Sequence, residues 1–125
     1  MEIYKKIAHI QNEEDKRDIE NEIVDRFGKM PPSARALTGI ALVKAYAVRG
    51  RIKKVDQLKG EVRLFPEDLN LPVFVEISKY DRKNVQVCGV GKTPYFSVKI
   101  PEGSEFSQYV VELIKFYIQK TQETV

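Results

Sequence analysis

Apolar residues recur at helical spacing in the first part of the chain and at alternating helical and strand spacing after it. Ile3, Tyr4, Ile7 and Ala8 lie three and four apart, which predicts a short opening helix with no capping residue ahead of it. Asn12 is a good N-cap for a second helix. Glu13, Glu14 and Asp15 then fall in its first turn, where the helix dipole favours negative charge. Ile19, Ile23, Val24 and Phe27 make its apolar stripe, with Ile23, Val24 and Phe27 expected to point toward the core. Gly28 follows as a residue able to take a positive φ. Pro31 and Pro32 reset the chain for a third helix through Ala34, Leu37, Ile40, Ala41, Ala45 and Val48, closed by Gly50.

Beyond Gly50 the period shortens. Ile52, Val55 and Leu58, then Val62, Leu64 and Phe65, flank a Lys59-Gly60 turn and predict a β-hairpin of modest regularity. Leu69, Val73, Ile77 and Tyr80 return to helical intervals behind Asn70 and Pro72, which predicts a short helix, although VFVEIS (73–78) by itself also fits a strand. Val85 and Val87, then Tyr95, Phe96, Val98 and Ile100, predict a second hairpin. Ser104 is the expected cap of a final helix carrying Phe106, Tyr109, Val110, Leu113, Ile114 and Tyr117. The pattern is an α+β domain: helices packed with a small, mainly antiparallel sheet of two hairpins, a short helix between them and a closing helix.

Composition narrows the chemistry. A length of 125 residues predicts a single domain spanning 1–125. No stretch approaches the roughly 20 apolar residues that span a bilayer, and no apolar run follows a basic N-terminus, so the expectation is a cytoplasmic location with no membrane partner. One Cys and one His are too few for a Cys/His zinc cluster, so no metal or cofactor is expected. The net charge of +3 is unevenly spread. Residues 11–28 are acidic, and residues 44–63 are rich in Lys and Arg. Opposite faces of this kind are either solvated or meet charged partners.

The stretch VCGVGKTPYF, residues 87–96, ends like a phosphate-binding loop at Gly91-Lys92-Thr93. The position five before Gly91 is Gln86 instead of glycine, and Tyr95 to Ile100 alternates like a strand. A phosphate loop needs a following helix whose N–H groups converge on the anion. Gly89 and Gly91 are therefore expected to shape a turn between two strands. Glu67 and Asp68 are neighbours in sequence and make no acid–base pair across a substrate. No constellation for catalysis is present.

The segments EIYKKIA (2–8) and NEIVDRFGKMPPSARAL (21–37) resemble the C-terminal domain of bacterial transcription-repair coupling factors. The order is the family's: a short Tyr-basic-basic-aliphatic-Ala helix, an acidic helix ending in Asp-Arg-Phe-Gly, a proline-rich break with Ala-Arg, and a helix of small apolar residues. The likeness is specific over residues 2–65 and is one of layout beyond them. It implies the whole of that C-terminal domain, begun inside its first helix. The family's parent is an ATP-driven translocase on double-stranded DNA that displaces stalled RNA polymerase and recruits UvrA, with its ATP site and motor in other domains. The resemblance implies a domain without catalysis, expected to be monomeric alone, that packs on the parent's N-terminal UvrA-binding module and masks it until polymerase and DNA are engaged. Carried over by the Glu-x-x-Asp-Arg-Phe-Gly match, Glu22 and Asp25 become the interface residues, with Asp18 one turn earlier extending the ridge. Arg26 is expected to tie the helix to its own domain. The alternative is a nucleic-acid-binding module built on the basic segment 49–63, with phosphate contacts and Tyr or Phe stacking.

Overall fold

The computed structural model describes residues 2–123, which form five helices and one four-stranded antiparallel sheet. The elements run α1 (Glu2–Ala8), α2 (Glu13–Phe27), α3 (Pro32–Arg49), β1 (Ile52–Leu58), β2 (Glu61–Pro66), α4 (Leu71–Tyr80), β3 (Val85–Cys88), β4 (Tyr95–Lys99) and α5 (Phe106–Glu123). This is the α+β order that the apolar periods predict. The chain divides into two compact units, residues 1–46 and 47–125.

In the first unit, α1 packs on α2. The start of α2 is fixed reciprocally. The Asn12 side-chain oxygen accepts the Asp15 N–H at 2.8 Å, and the Asp15 carboxylate accepts the Gln11 N–H at 3.0 Å. One donor that the helix leaves orphaned at its start is so satisfied, and so is the N–H of the residue ahead of the cap. Gly28 closes α2 with φ 77°, its N–H donating to the Val24 carbonyl at 2.7 Å. Two polar contacts join α2 to α3. The buried Thr38 hydroxyl donates to Glu20 at 2.8 Å, and the Tyr46 hydroxyl donates to Glu13 at 2.6 Å. Ile7, Ile10, Ile23, Leu42 and Val43 are buried.

In the second unit the strand order is β1-β2-β4-β3, so the two hairpins meet through β2 and β4. Alternation along β2 sends Val62 and Leu64 inward, and Phe96 and Val98 of β4 join them. Phe96 is fully buried, edge-on to Phe74 of α4 and to Tyr117 of α5 at centroid distances of 5.4 and 5.3 Å. Such tilted aromatic pairs add to the area they bury. The irregularity of the first hairpin is a register shift between Ile52 and Lys54. Asn70 caps α4 through the Val73 N–H.

Gly50 closes α3 at Arg49 as expected. The left-handed residue lies one further on, at Arg51 with φ 57°, and Gly50 is a close-packed position where a Cβ would lie 3.1 Å from Cγ1 of Ile118 on α5. One helix end differs from expectation. The cap of α5 is Glu105 and not Ser104. The Glu105 carbonyl accepts the Tyr109 N–H, and its carboxylate accepts the Gln108 N–H and the Ser107 hydroxyl, each at 2.7 Å. Its longer side chain can bend back over the first turn from the position that opens the hydrogen-bond ladder.

Candidate functional site

The phosphate-loop question is settled by backbone geometry. β3 and β4 pair antiparallel on either side of residues 89–94, and the Lys92 N–H donates to the Gly89 carbonyl at 3.0 Å. Gly89 and Gly91 both have positive φ, 69° and 104°. A strand follows the turn, so no helix N-terminus points at Lys92. The histidine and cysteine have local roles. The His9 Nδ1–H donates to the Lys5 carbonyl at 2.6 Å, and Cys88 is a half-buried residue of β3. Among the described residues no His/Cys/Asp/Glu group is placed to hold a metal ion, and no helix is long and apolar enough to cross a membrane.

The acidic helix carries a solvent-facing ridge. Asp18, Glu22 and Asp25 are four and three residues apart, so they share one side of α2. Asp18 and Asp25 are exposed and make no ion pair with another described residue, and Glu22 is half-buried. Glu22 is already engaged within the unit. The Lys6 ammonium of α1 donates to both its carboxylate oxygens, at 2.8 and 3.0 Å, and Arg26 lies 3.9 Å away. The hydrogen bond from Lys6, reinforced by the charges of Lys6 and Arg26, holds the Glu22 carboxyl below its ordinary range. Other acids of α2 are spoken for: Glu13 by Tyr46, and Glu20 by Thr38 and Lys16.

The apolar stripe corrects one expectation. Ile23 is buried, but Val24 is 43% exposed and Phe27 is 66% exposed. Val24 follows Ile23 by a 100° step, too far round to share a narrow buried stripe, and Phe27 is the last helical residue before the chain turns away at Gly28. Phe27 instead lines an open apolar groove of about 610 Å³ with Tyr4, Ile7, Ile23 and Leu37, where Arg26 is the charged lining residue. Tyr4 is 61% exposed. The ridge and this groove sit on neighbouring sides of one helix. Sequence reading missed the groove because a period of three and four does not distinguish a core stripe from one left open to solvent.

The basic segment 49–63 does not form one continuous cationic stripe. Arg51 lies 3.3 Å from Glu67 and 3.5 Å from Asp68, Lys54 lies 3.4 Å from Asp56, and Arg63 lies 3.1 Å from Glu61. Arg49 ends α3, and Lys59 sits in the hairpin turn.

Comparison with known proteins places this architecture. The sequence profile of the TRCF domain matches residues 1–73. The transcription-repair-coupling factor of Bacillus subtilis (strain 168) is 33% identical over 64 residues, covering 51% of this chain and 5% of that protein. That of Escherichia coli (strain K12) is 37% identical over 68 residues, covering 54% of this chain and 6% of that protein. The chain thus spans a small fraction of the length of these curated relatives. The crystal structure of the C-terminal domain of transcription-repair coupling factor matches with a TM-score of 0.70 at 19% identity, over 98% of this chain and 80% of that one. At that identity the likeness is one of fold, and it reaches the sheet and α5 beyond the profile match. The α1–α2–α3 arrangement and its motifs lie inside the profile, which covers more than half of the residues, and the chain belongs to the TRCF domain family.

Proposed function

We propose that this chain is a non-catalytic regulatory domain of a transcription-repair coupling factor. It docks on the UvrA-binding N-terminal module of its parent and masks that module until the parent engages stalled RNA polymerase and DNA. The reading rests on one observation above the others: α2 presents Asp18, Glu22 and Asp25 along one side and a largely exposed Phe27 beside them. A side chain as apolar as Phe27, left in water next to carboxylates, is what a mixed polar and apolar interface leaves when its partner is absent. In this reading Asp25 and Asp18 take up arginines of the module, Glu22 exchanges part of its bond to Lys6 for a partner cation, and the groove at Phe27 receives an apolar anchor.

The energy scale suits a latch. An exposed ion pair is worth about 0–1 kcal/mol, whereas desolvated interface pairs couple by roughly 1.5–7 kcal/mol. A few partly desolvated pairs therefore hold at rest and yield to a competing partner. Weak docking suffices when both halves share one chain, because tethering raises the effective concentration toward the millimolar range. The ATP site and motor of the parent then lie outside these residues. The deciding measurement is calorimetric binding of this chain to the N-terminal module supplied separately. Saturable binding that UvrA competes away supports the mask, and absence of binding at high concentration refutes it.

A further inference from the structure

The outer face of the sheet carries a second arrangement with no part in the latch. Strand alternation sends Lys54, Phe65 and Tyr95 to the side opposite the buried Val62, Leu64, Phe96 and Val98. Register places them in one row: Lys54 pairs with Phe65, and Tyr95 continues the β2–β4 ladder one step beyond Leu64 and Phe96. The two rings lie on the central strands with centroids 5.2 Å apart. Lys54 Nζ lies 5.2 Å from the Phe65 centroid, and the Arg63 guanidinium carbon lies 5.1 Å from that of Tyr95. Lys54 is exposed, as are Gln86 and Lys99 on the same face, while Phe65 and Tyr95 are half-buried, so the row reaches solvent in part. The chain's whole net charge of +3 belongs to residues 47–125, since the acids and bases of residues 1–46 balance.

We infer that this face binds single-stranded DNA, with Phe65 and Tyr95 stacking successive bases and Lys54, Arg63 and Lys99 meeting the phosphates. Adjacent aromatic rings across two central strands offer π-faces that any base can cover once Lys54 and Arg63, which lie over those faces at rest, swing aside to follow the phosphates. A duplex hides its base faces, so the row selects separated strands. DNA is the strand assigned because the family is that of a repair factor. Glu61 and Asp56 lie on the same face and hold Arg63 and Lys54 at rest. Phosphates must compete with these carboxylates, so binding is weak and falls steeply with salt.

The test titrates the 125-residue chain into a fluorescent oligothymidylate of about 12 nucleotides at low salt and reads anisotropy. The expected result is saturable binding, at least tenfold tighter than to a duplex of equal length and lost as salt rises. The Phe65→Leu/Tyr95→Leu double variant keeps apolar bulk and removes the π-faces, and it is expected to bind at least tenfold more weakly. Amide NMR shifts of the unmodified chain supply the same answer if that variant fails to fold: the largest changes are expected at residues 54, 63, 65 and 95. Equal binding of duplex, unchanged binding by the Leu variant, shifts confined elsewhere, or no binding at all overturns the inference. Tighter binding of oligouridylate than of oligothymidylate overturns the assignment to DNA.

Discussion

The Lys6 ammonium clasps Glu22 through both carboxylate oxygens, while Asp25, less than one turn further along α2, makes no ion pair with another described residue. The two acids therefore differ in what docking demands of them. In the proposed docking, Glu22 would have to loosen an existing bond before meeting a partner cation, and Asp25 would lose only water. Asp25→Asn is expected to weaken docking on the N-terminal module by about tenfold, the equivalent of about 1.4 kcal/mol. Glu22→Gln is expected to weaken it less, and Lys6→Ala to strengthen it by removing the competitor. Calorimetry with the separate module orders the three. In the full-length parent the same order should appear as UvrA binding in the resting state.

Phe27 supplies a second handle on the same surface. At 66% exposure it contributes little to the folded unit, so Phe27→Ala is expected to change stability by under about 1 kcal/mol. If the groove receives an apolar anchor, the same change should weaken docking by more than tenfold, as loss of a buried aromatic at an interface centre does. A thermal melt and a binding isotherm on one variant separate the two effects. Equal docking by Phe27→Ala and wild type would restrict the interface to the acidic ridge.

What could be read from the sequence was set by local chemistry. Asn12, Gly28, Asn70 and the Lys59-Gly60 turn act on neighbouring backbone, and each appears where its side chain or φ preference predicts. Outward and inward were harder to tell apart. Phe27 shares helical spacing with Ile23, and the same spacing serves a buried stripe or an open groove. Phe65 was legible in principle, because it is in phase with Glu61 and Arg63 and out of phase with Val62 and Leu64. Its place beside Tyr95 was not, since the partner strand lies 30 residues on and strand order is fixed by tertiary packing. That Asp18, Glu22 and Asp25 share one side of α2 follows from spacing, their choice as interface residues came from the family resemblance, and the Lys6 clasp depends on how α1 packs.

Acid should loosen each unit by a nameable bond. Glu22 has its folded pKa lowered from the ordinary 4.5, chiefly by the Lys6 hydrogen bond. Asp81 has its own lowered from 3.8, chiefly by the Tyr109 hydroxyl, which donates at 2.6 Å, and by Asn84. A carboxyl with a depressed folded pKa contributes stability that is present above its unfolded pKa and is lost as pH falls through the folded one. The thermal midpoint is therefore expected to hold near neutrality and to fall below about pH 4.5. Lys6→Ala and Tyr109→Phe should each melt earlier than wild type at pH 7, with the gap narrowing toward pH 3. Tyr109 has the opposite sign. Burial and the Asp81 carboxylate raise its hydroxyl pKa, so its contribution is present below the unfolded value near 10 and is lost as pH rises through the folded one.

The turn at residues 89–94 separates a structural glycine from a phosphate-binding one. Gly89 has φ 69°, and a Cβ there would run into the Thr93 carbonyl oxygen. Gly60 has a similar φ of 74° but open space where a Cβ would go. Gly89→Ala is therefore expected to cost about 2 kcal/mol or more, from backbone strain and collision together. Gly60→Ala is expected to cost about 1 kcal/mol, from strain alone. Lys92→Ala, on an exposed turn residue, should stay within about 0.5 kcal/mol. Denaturant unfolding of the three variants gives the order, and ATP added to each at millimolar concentration should shift none of the midpoints, because a bound ligand would raise them by mass action. A nucleotide-dependent rise in the wild type that Lys92→Ala abolished would return the Gly-Lys-Thr motif to phosphate chemistry. With an antiparallel strand following the turn in place of a helix, the N–H groups of a helix start that such chemistry uses are not supplied there.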